Sequence, residues 1–220
     1  MDKRAVLLSG LALAALAPAP ASAQSDSWQR KWYWGGQGGI FMYQSRTDTT
    51  RQFAITAGGH WLITGKRSAL LIGFDHVMFP DSSTSMINDN TTLTGTRLVD
   101  FSTGRRIQAV LYAIPSDGFL QIMLGGGFAI HQLTNATPQG PFATLAEQTN
   151  AEAITAEQDT RAFAVMSGGA QLRLGRLALF ANYQYTPAAK NFLIKSAQHS
   201  AMAGIRFALT TAHEDVTTDR

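Results

Sequence analysis

The feature that most constrains this chain is a repeated alternation of apolar and polar residues, which is the period of a half-buried strand. Segments with this pattern follow one another, and each reaches the length of about 9–11 residues that a tilted strand needs to cross a bilayer. We place them near residues 31–44, 51–64, 69–79, 104–114, 119–132, 161–174, 177–187 and 197–209. The sequence therefore predicts an all-β fold of eight strands.

The connections between these segments alternate in length. The tight ones lie at residues 65–68, 115–118 and 175–176, and the long polar ones at 45–50, 80–103, 133–160 and 188–196. A transmembrane barrel has short periplasmic turns and longer external loops. The alternation therefore favours an antiparallel up-and-down barrel with both chain ends on the short-turn side.

The two faces of each predicted strand differ in polarity. In the last strand Ile205 and Phe207 share one face, whereas Arg206 lies on the other. A soluble barrel would turn the apolar face inward and a membrane barrel would turn it toward lipid, so alternation alone leaves both architectures open. The scarcity of Lys and Glu on the apolar faces favours the membrane barrel, because the strand charges fall on the polar face. Those charges are Asp75, Arg106, Arg173 and Arg206.

The N-terminus has the pattern of an export signal. A short charged stretch precedes an apolar run over residues 5–17, and residues 21–23 form a small-x-small cleavage site. The sequence has no Cys and a net charge of only +3, which gives no reason to expect a nucleic-acid partner. We predict a signal peptide over 1–23, an outer-membrane barrel over 24–209 and a disordered polar tail over 210–220.

This arrangement resembles the small outer-membrane β-barrels of the OmpA/OmpX type. The resemblance rests on the signal through Ala23, the eight alternating segments and the closing strand Gln198–Leu209, and it covers nearly the whole mature chain. Members commonly end on an aromatic strand residue, whereas here Phe207 is followed by Ala208, Leu209 and a polar tail. The resemblance implies a Gram-negative cell envelope, contact with outer-membrane lipids and lipopolysaccharide, and dependence on the export and barrel-assembly machinery.

Aromatic residues lie toward several predicted strand ends. Such positions are typical of the girdles that mark the two lipid–water interfaces of a membrane barrel. The aromatic residues in question are Trp32, Trp34, Phe41, Tyr43, Trp61, Phe79, Tyr183 and Tyr185. Aromatic residues are also common in strands of any kind, so a girdle and ordinary strand composition are both open interpretations for each of them.

Two of the long loops carry structural signals of their own. Residues 92–99 alternate well enough to form a further strand or to extend a hairpin above the membrane, so a ten-stranded barrel is an alternative. Residues 145–160 are rich in Ala and Glu, which is compatible with a short helix. Because binding residues often lie on loops held by a rigid scaffold, loops 80–103 and 133–160 are the candidate contact sites for an external ligand.

The polar faces of the strands would meet inside the barrel. If residue 79 lies opposite residue 104, Asp75 and Arg106 become diagonal neighbours within reach of an ion pair. An eight-stranded interior is just wide enough for side chains to fill, so a plug of paired side chains and a path for protons or ions are both open interpretations. The residues predicted to line the lumen are His60, Asp75, Arg106, Gln108, Gln121, His131, Gln171, Arg173 and Arg206.

Signals for catalysis or metal binding are weak. His199 and Ser200 are adjacent in one strand and so point to opposite faces, which prevents them from acting as base and nucleophile. The His residues share no ligand spacing, and we expect no metal and no cofactor. We predict a non-enzymatic outer-membrane barrel with a structural or surface-interaction role and a filled lumen. A narrow porin-like channel for ions or small solutes and a lipid A-modifying enzyme are the alternatives.

Overall fold

The computed structural model describes residues 30–80, 83–116 and 118–211, and in these ranges it contains a closed antiparallel barrel. In chain order the elements are β1 (Lys31–Tyr43), β2 (Gln52–Thr64), β3 (Ser68–Met78), β4 (Thr84–Asn88), β5 (Thr96–Asp100), β6 (Thr103–Ala113), β7 (Leu120–Thr134), β8 (Thr137–Pro138), α1 (Leu145–Asp159), β9 (Thr160–Leu174), β10 (Leu177–Thr186) and β11 (Gln198–Thr211). All strands except β4, β5 and β8 belong to the barrel. Each predicted strand is present, with ends within about two residues of those expected.

Each barrel strand pairs with the next barrel strand along the chain, and β1 closes the ring by pairing with β11. The predicted eight-stranded, antiparallel, up-and-down architecture is therefore confirmed. Closure leaves no sheet edge open, which is the condition for a strand wall inside a membrane.

The pairing of β3 with β6 differs from the predicted register. Val77, and not residue 79, lies opposite Gly104, so Asp75 and Arg106 are directly opposite each other rather than diagonal. The reason is that Phe79 has already left the strand, and its backbone N–H donates to the carbonyl of Ser102 at 2.8 Å. The pair is therefore closer in register than the sequence suggested.

The tight turns close one end of the barrel, here called the short-turn end, and the long connections cover the other, the long-loop end. At the long-loop end β4, β5 and β8 form a separate three-stranded sheet. The ten-stranded alternative is wrong, because β4 and β5 have five residues each and pair with one another above the wall. The hairpin alternative and the helix over 145–160 are confirmed by β4–β5 and α1.

We call the folded long loops the cap; it comprises the described residues of 44–51, 79–102, 135–159 and 187–197. Its inner side packs on the long-loop end of the lumen through Val99, Phe101, Ala151 and Phe192, all of which are buried. The hydroxyl of Ser85 donates to the carbonyl of Leu193 at 2.6 Å and so joins the second and fourth of these loops. The long connections therefore form one packed layer over the barrel.

The outside of the wall is apolar and the inside is polar. Ile107 is 54% exposed, whereas its neighbour Arg106 is 2% exposed. The same alternation recurs on every barrel strand and matches a barrel whose outer face meets lipid. Arg105 is an exception that the sequence analysis did not single out, since it lies exposed on the outer face near the long-loop end of β6.

Only some of the aromatic residues near the strand ends project outward. Trp34 and Trp61 project outward at the short-turn end, and Tyr183 projects outward toward the long-loop end. The side chains of Phe41 and Tyr43, in contrast, are buried. Both share the inward face of β1 with Gln37, so strand parity and not nearness to the strand end decides where they point.

The predicted signal segment 1–23 and most of the predicted tail lie outside the described residues. β11 runs to Thr211, two residues beyond the predicted barrel end at 209. In the described ranges, no helix is both long enough and apolar enough to cross a membrane.

Candidate functional site

Asp75 is the centre of a polar network inside the barrel. Its carboxylate is fully buried and accepts hydrogen bonds from four side-chain N–H groups. Nε and Nη2 of Arg106 reach Oδ2 at 3.0 and 2.8 Å, and Nε2 of Gln108 reaches the same oxygen at 3.1 Å. Nε2 of Gln37 donates to Oδ1. The charge of the carboxylate is thus matched by an arginine and an amide from β6 and by a second amide from β1.

Arg106 also crosses the lumen. Its Nη1 donates to Oγ of Ser200 at 2.7 Å. Ser200 lies on β11, which stands four strands away from β6 in either direction around the ring. One arginine side chain therefore connects opposite walls, and its guanidinium occupies the middle of the passage.

Arg206 is the centre of a second network, nearer the short-turn end. Its Nε donates to Nε2 of His60 at 2.8 Å, and its Nη1 donates to Oε1 of Gln171 at 2.7 Å. Nε2 of Gln171 donates in turn to Oε1 of Gln121 at 2.7 Å. The guanidinium lies 3.8 Å from the centroid of the Phe180 ring, which is the geometry of a cation–π contact. Among the described residues no carboxylate pairs with Arg206, so neutral acceptors and a ring hold this buried charge.

The structure thus groups most of the predicted lumen residues into two networks and leaves two outside them. His131 is buried among the rings of Phe41 and Phe163, at 6.0 and 4.9 Å between centroids. Arg173 lies half-buried at the short-turn end of β9, on the same face as Gln171. All nine predicted residues occupy inward positions.

Three residues that complete these networks were missed from the sequence: Gln37, Ser200 and Phe180. Strand parity carried a signal for the first two, because both lie on the inward faces of β1 and β11. Nothing in the sequence marked Phe180, since an aromatic residue in a strand is ordinary. Its role becomes visible only when Arg206 is seen over its ring.

An aromatic layer closes the long-loop end of the lumen; we call it the roof. Phe79 lies at the centre of it, with ring centroids 4.8 Å from Tyr43, 5.0 Å from Phe101 and 6.0 Å from Phe41 in edge-on geometry. Phe163 and Phe192 continue the layer at 5.2 Å. The cap supplies Phe79, Phe101 and Phe192, and strands supply the others, so wall and cap share one apolar core.

A second apolar layer, the floor, fills the short-turn end. Its largest members are Tyr33, Leu62, Leu71, Tyr112 and Met123, all of them buried. The hydroxyl of Tyr112 is 2.7 Å from that of Ser167, which places a polar contact above the floor. The two charged networks therefore lie between two apolar seals.

Several inward amides of β10 and β11 have no hydrogen-bond partner among the described residues. Asn182, Gln184 and Gln198 are buried, and both side-chain polar atoms of each are unpartnered. Buried polar groups of native proteins are almost always satisfied, in part by internal waters. This side of the lumen is the part most suited to hold water.

The cap has its own charged centre at Arg97. Its Nε and Nη2 donate to Asp89 Oδ2 and Glu147 Oε1, both at 2.5 Å. Its Nη1 donates to the carbonyls of Gln139 and Pro141 at 2.8 and 3.1 Å. One side chain thus ties the β4–β5 turn to the start of α1.

Two carboxyl groups beside Arg97 have a lowered pKa. Hydrogen bonds from Thr91, together with the Arg97 charge, hold the pKa of Asp89 below its ordinary value. For Glu147 the main cause is a hydrogen bond from the backbone N–H of Ala143, at 2.7 Å, which lowers the pKa of this carboxyl. Both groups therefore favour the charged form within the folded cap.

Ser200 and His199 do not form a catalytic pair. Ser200 points inward to Arg106, whereas His199 points outward, and its Nδ1 contacts the Tyr183 hydroxyl. In the described part of the chain no three His, Asp or Glu side chains converge in a way that would hold a metal ion.

Comparison with known proteins gives a likeness in structure and none in sequence. No protein-family model matches the sequence, and no curated protein sequence is similar to it. The solved structure of Neisserial surface protein A superposes with a TM-score of 0.57 at 11% identity, over 81% of this chain and 97% of that one. The N-terminal β-barrel domain of Pseudomonas aeruginosa OprF superposes with a TM-score of 0.47 at 9% identity, over 82% of this chain and 98% of that one. The outer membrane protein OprG from the same organism superposes with a TM-score of 0.44 at 8% identity, over 84% of this chain and 96% of that one.

At these identities the likeness shows the fold alone. The argument rests on the Neisserial surface protein A structure, whose TM-score is 0.57. The closed ring of eight strands agrees with this likeness. The chain has the fold of the small eight-stranded outer-membrane β-barrels.

Proposed function

We propose that this protein is an exported outer-membrane barrel of a Gram-negative bacterium, with a closed lumen and a surface-interaction role carried by its cap. The short-turn end would face the periplasm and the cap would face outward, among lipopolysaccharide molecules and outer-membrane lipids. The export and barrel-assembly machinery would place it there. The support is the apolar outer wall together with the asymmetry between the two ends.

The observation that carries the closed lumen is its continuous filling. From the short-turn end upward, the passage meets the floor, the Arg206 network, the Arg106 side chain that joins opposite walls, and the roof. A hydrated ion would have to displace two buried guanidinium groups and two apolar layers. Because the lumen is filled, the cap is the part of the protein that can contact external ligands.

Planar-bilayer recording of the refolded protein tests this proposal. We expect no stepwise conductance from the wild type, because both seals are made of buried side chains. A reproducible conductance that is lost on changing Asp75 or Arg106 would overturn it. A gel comparing unheated and boiled samples in detergent verifies first that the protein is a folded barrel. An absence of conductance then cannot be attributed to unfolded protein.

A narrow channel remains the second candidate, and one observation favours it. Asn182, Gln184 and Gln198 form a polar strip with unpartnered amide atoms along β10 and β11. If the roof were to open, this strip could carry water or ions. The lipid-modifying enzyme receives no comparable support, since Ser200 and His199 point to opposite faces of the wall.

A further inference from the structure

A concave basic site lies within the cap, apart from the lumen networks. It is a cavity of about 420 Å³, within the range of about 300–1,000 Å³ typical of small-ligand pockets. Three cations line it: Arg46 from the β1–β2 loop, and Lys190 and Lys195 from the β10–β11 loop. No carboxylate lines the cavity, and among the described residues none forms an ion pair with these three cations.

The lining is held in place by bonds within the cap. Nη1 of Arg46 donates to the carbonyl of Met86 at 3.0 Å, which fixes the guanidinium and leaves its other N–H groups available. The backbone N–H of Lys195 donates to the carbonyl of Gln44 at 2.9 Å. The backbone N–H of Leu193 donates to the carbonyl of Gln158 at 3.1 Å. The two loops and α1 are therefore joined around the cavity before any ligand arrives.

The rest of the lining is amide-rich. Asn88, Asn191 and Gln158 contribute side-chain amides, which can donate hydrogen bonds to hydroxyl groups and accept hydrogen bonds from them. Phe192, which is fully buried in the roof, also lines the cavity. The site thus offers positive charge to an anion and amide groups to hydroxyl groups.

We propose that this pocket binds a saccharide unit carrying a phosphate group. Three cations suit phosphate better than a carboxylate, because a phosphate monoester carries about 1.5 to 2 negative charges at pH 7. Arginine binds phosphate oxygens through its planar fork, and lysine does so as a point charge. The amides of Asn88, Asn191 and Gln158 match the hydroxyl groups of a sugar ring. The proposal deepens the surface-interaction role and rests on it, since the pocket must face outward to be reached.

The burial of Arg46 supports this assignment. Burial lowers the pKa of its guanidinium, which means that the site disfavours an isolated charge there. An anion in the cavity would compensate that charge, as carboxylates do for Arg97 and Arg106. Arg46 is thus a half-buried cation without a counter-charge within the described chain.

Titration calorimetry of the refolded full-length protein in detergent micelles tests the pocket. The probes are glucose 6-phosphate, glucose and inorganic phosphate. We expect one site for glucose 6-phosphate, and affinities at least about tenfold weaker for the other two, because each lacks half of the matched groups. The double variant Lys190→Gln with Lys195→Gln should bind glucose 6-phosphate with an affinity lower than that of the wild type by about tenfold or more.

The matched control removes the same charge elsewhere. Lys66 and Arg67 are exposed in the β2–β3 turn at the opposite end of the barrel. Lys66→Gln with Arg67→Gln should leave the affinity within about twofold of wild type, because distant exposed charges are screened by salt. Equal weakening by both double variants would overturn the proposal, and so would the absence of saturable binding. Inorganic phosphate binding as tightly as glucose 6-phosphate would overturn the saccharide assignment.

Two sources could supply this chemistry, and nanodiscs distinguish them. Discs containing lipopolysaccharide should weaken glucose 6-phosphate binding if the phosphorylated sugar belongs to the membrane's own glycolipid. Unchanged affinity relative to discs of phosphatidylcholine alone would assign the site to a soluble sugar phosphate. The result is independent of the bilayer recordings, so loss of the pocket and loss of the closed lumen are separable outcomes.

Discussion

At the scale of single residues, the energetics of the lumen depend on how its buried charges are paired. Asp75 and Arg106 compensate one another, and removing one partner of such a pair leaves the other buried and uncompensated. Arg206 relies instead on His60, Gln171 and the Phe180 ring. The two arginines should therefore respond differently to mutation of their neighbours.

Asp75→Asn should destabilise the barrel by about 3–5 kcal/mol, because the amide keeps the shape but not the charge that Arg106 faces. Urea unfolding in lipid vesicles measures the effect. Asp75→Leu combined with Arg106→Met should recover most of the loss, since an apolar pair of similar volume avoids the stranded charge. A single variant that changes the unfolding free energy by less than about 1 kcal/mol would show that the pair is not needed.

Gly58 allows the Asp75 network to form. A Cβ at this position would overlap the carbonyl oxygen of Phe74 and Oδ1 of Asp75. Gly58→Ala should therefore cost about 1–3 kcal/mol of stability through overpacking. The neighbouring Gly59→Ala is the control, because its Cβ would meet only the Gly35 carbonyl at 3.5 Å, and a gain of about 0.5–1 kcal/mol is expected in a strand. Equal effects of the two variants in urea unfolding would argue against the overlap.

At the scale of elements, Arg97 joins parts of the cap that the backbone leaves separate. It reaches the β4–β5 turn, residues 139–141 and the first turn of α1. Arg97→Lys keeps the charge but loses the fork, so we expect faster proteolysis within residues 133–160 while the barrel stays protected. Arg105→Lys is the control, since Arg105 is exposed on the outer wall. Equal cleavage rates in the two variants would show that Arg97 does not hold the cap.

The same centre predicts an acid-sensitive cap. Asp89 and Glu147 have pKa values lowered from 3.8 and 4.5 in the folded state. Their stabilising effect is complete above those ordinary values and is lost as the pH falls through the lowered ones. Hydrogen exchange of the α1 amides should thus be constant from neutral pH down to the ordinary carboxyl range, after intrinsic rates are removed, and accelerate below it. Protection of α1 that persists through that acid range would contradict the assignment.

The wall strands could be predicted from the sequence more fully than their pairing register. The eight wall strands could be predicted, because period-two alternation records which residues share a face. The scarcity of charge on the apolar faces then assigned the polar face, with Asp75, Arg106 and Arg206, to the lumen. Pairing register could not be predicted, because it depends on where β3 ends, and Phe79 leaves the strand earlier than its apolar character suggests.

The packing of the cap could not be predicted from the sequence, although some of its elements could. Helix α1 could be expected from composition, and β4–β5 from alternation. Their joint packing depends on contacts between residues far apart in the chain, such as Arg97 with Glu147 and Ser85 with Leu193. The basic pocket combines side chains from four such segments, so no local motif announces it.

At the scale of the whole molecule, the assignment depends on an apolar exterior that meets lipid. Ile107 projects outward midway along β6, where an arginine should cost about 2–4 kcal/mol in a bilayer. Ile107→Arg should therefore lower the unfolding free energy in lipid vesicles by about that amount. Leu93→Arg is the matched control, because Leu93 is fully exposed in the cap and should meet water, so it should shift stability by less than about 0.5 kcal/mol. If Ile107→Arg were as harmless as Leu93→Arg, or if the wild type remained folded in buffer without detergent, the wall would face water and the membrane assignment would be wrong.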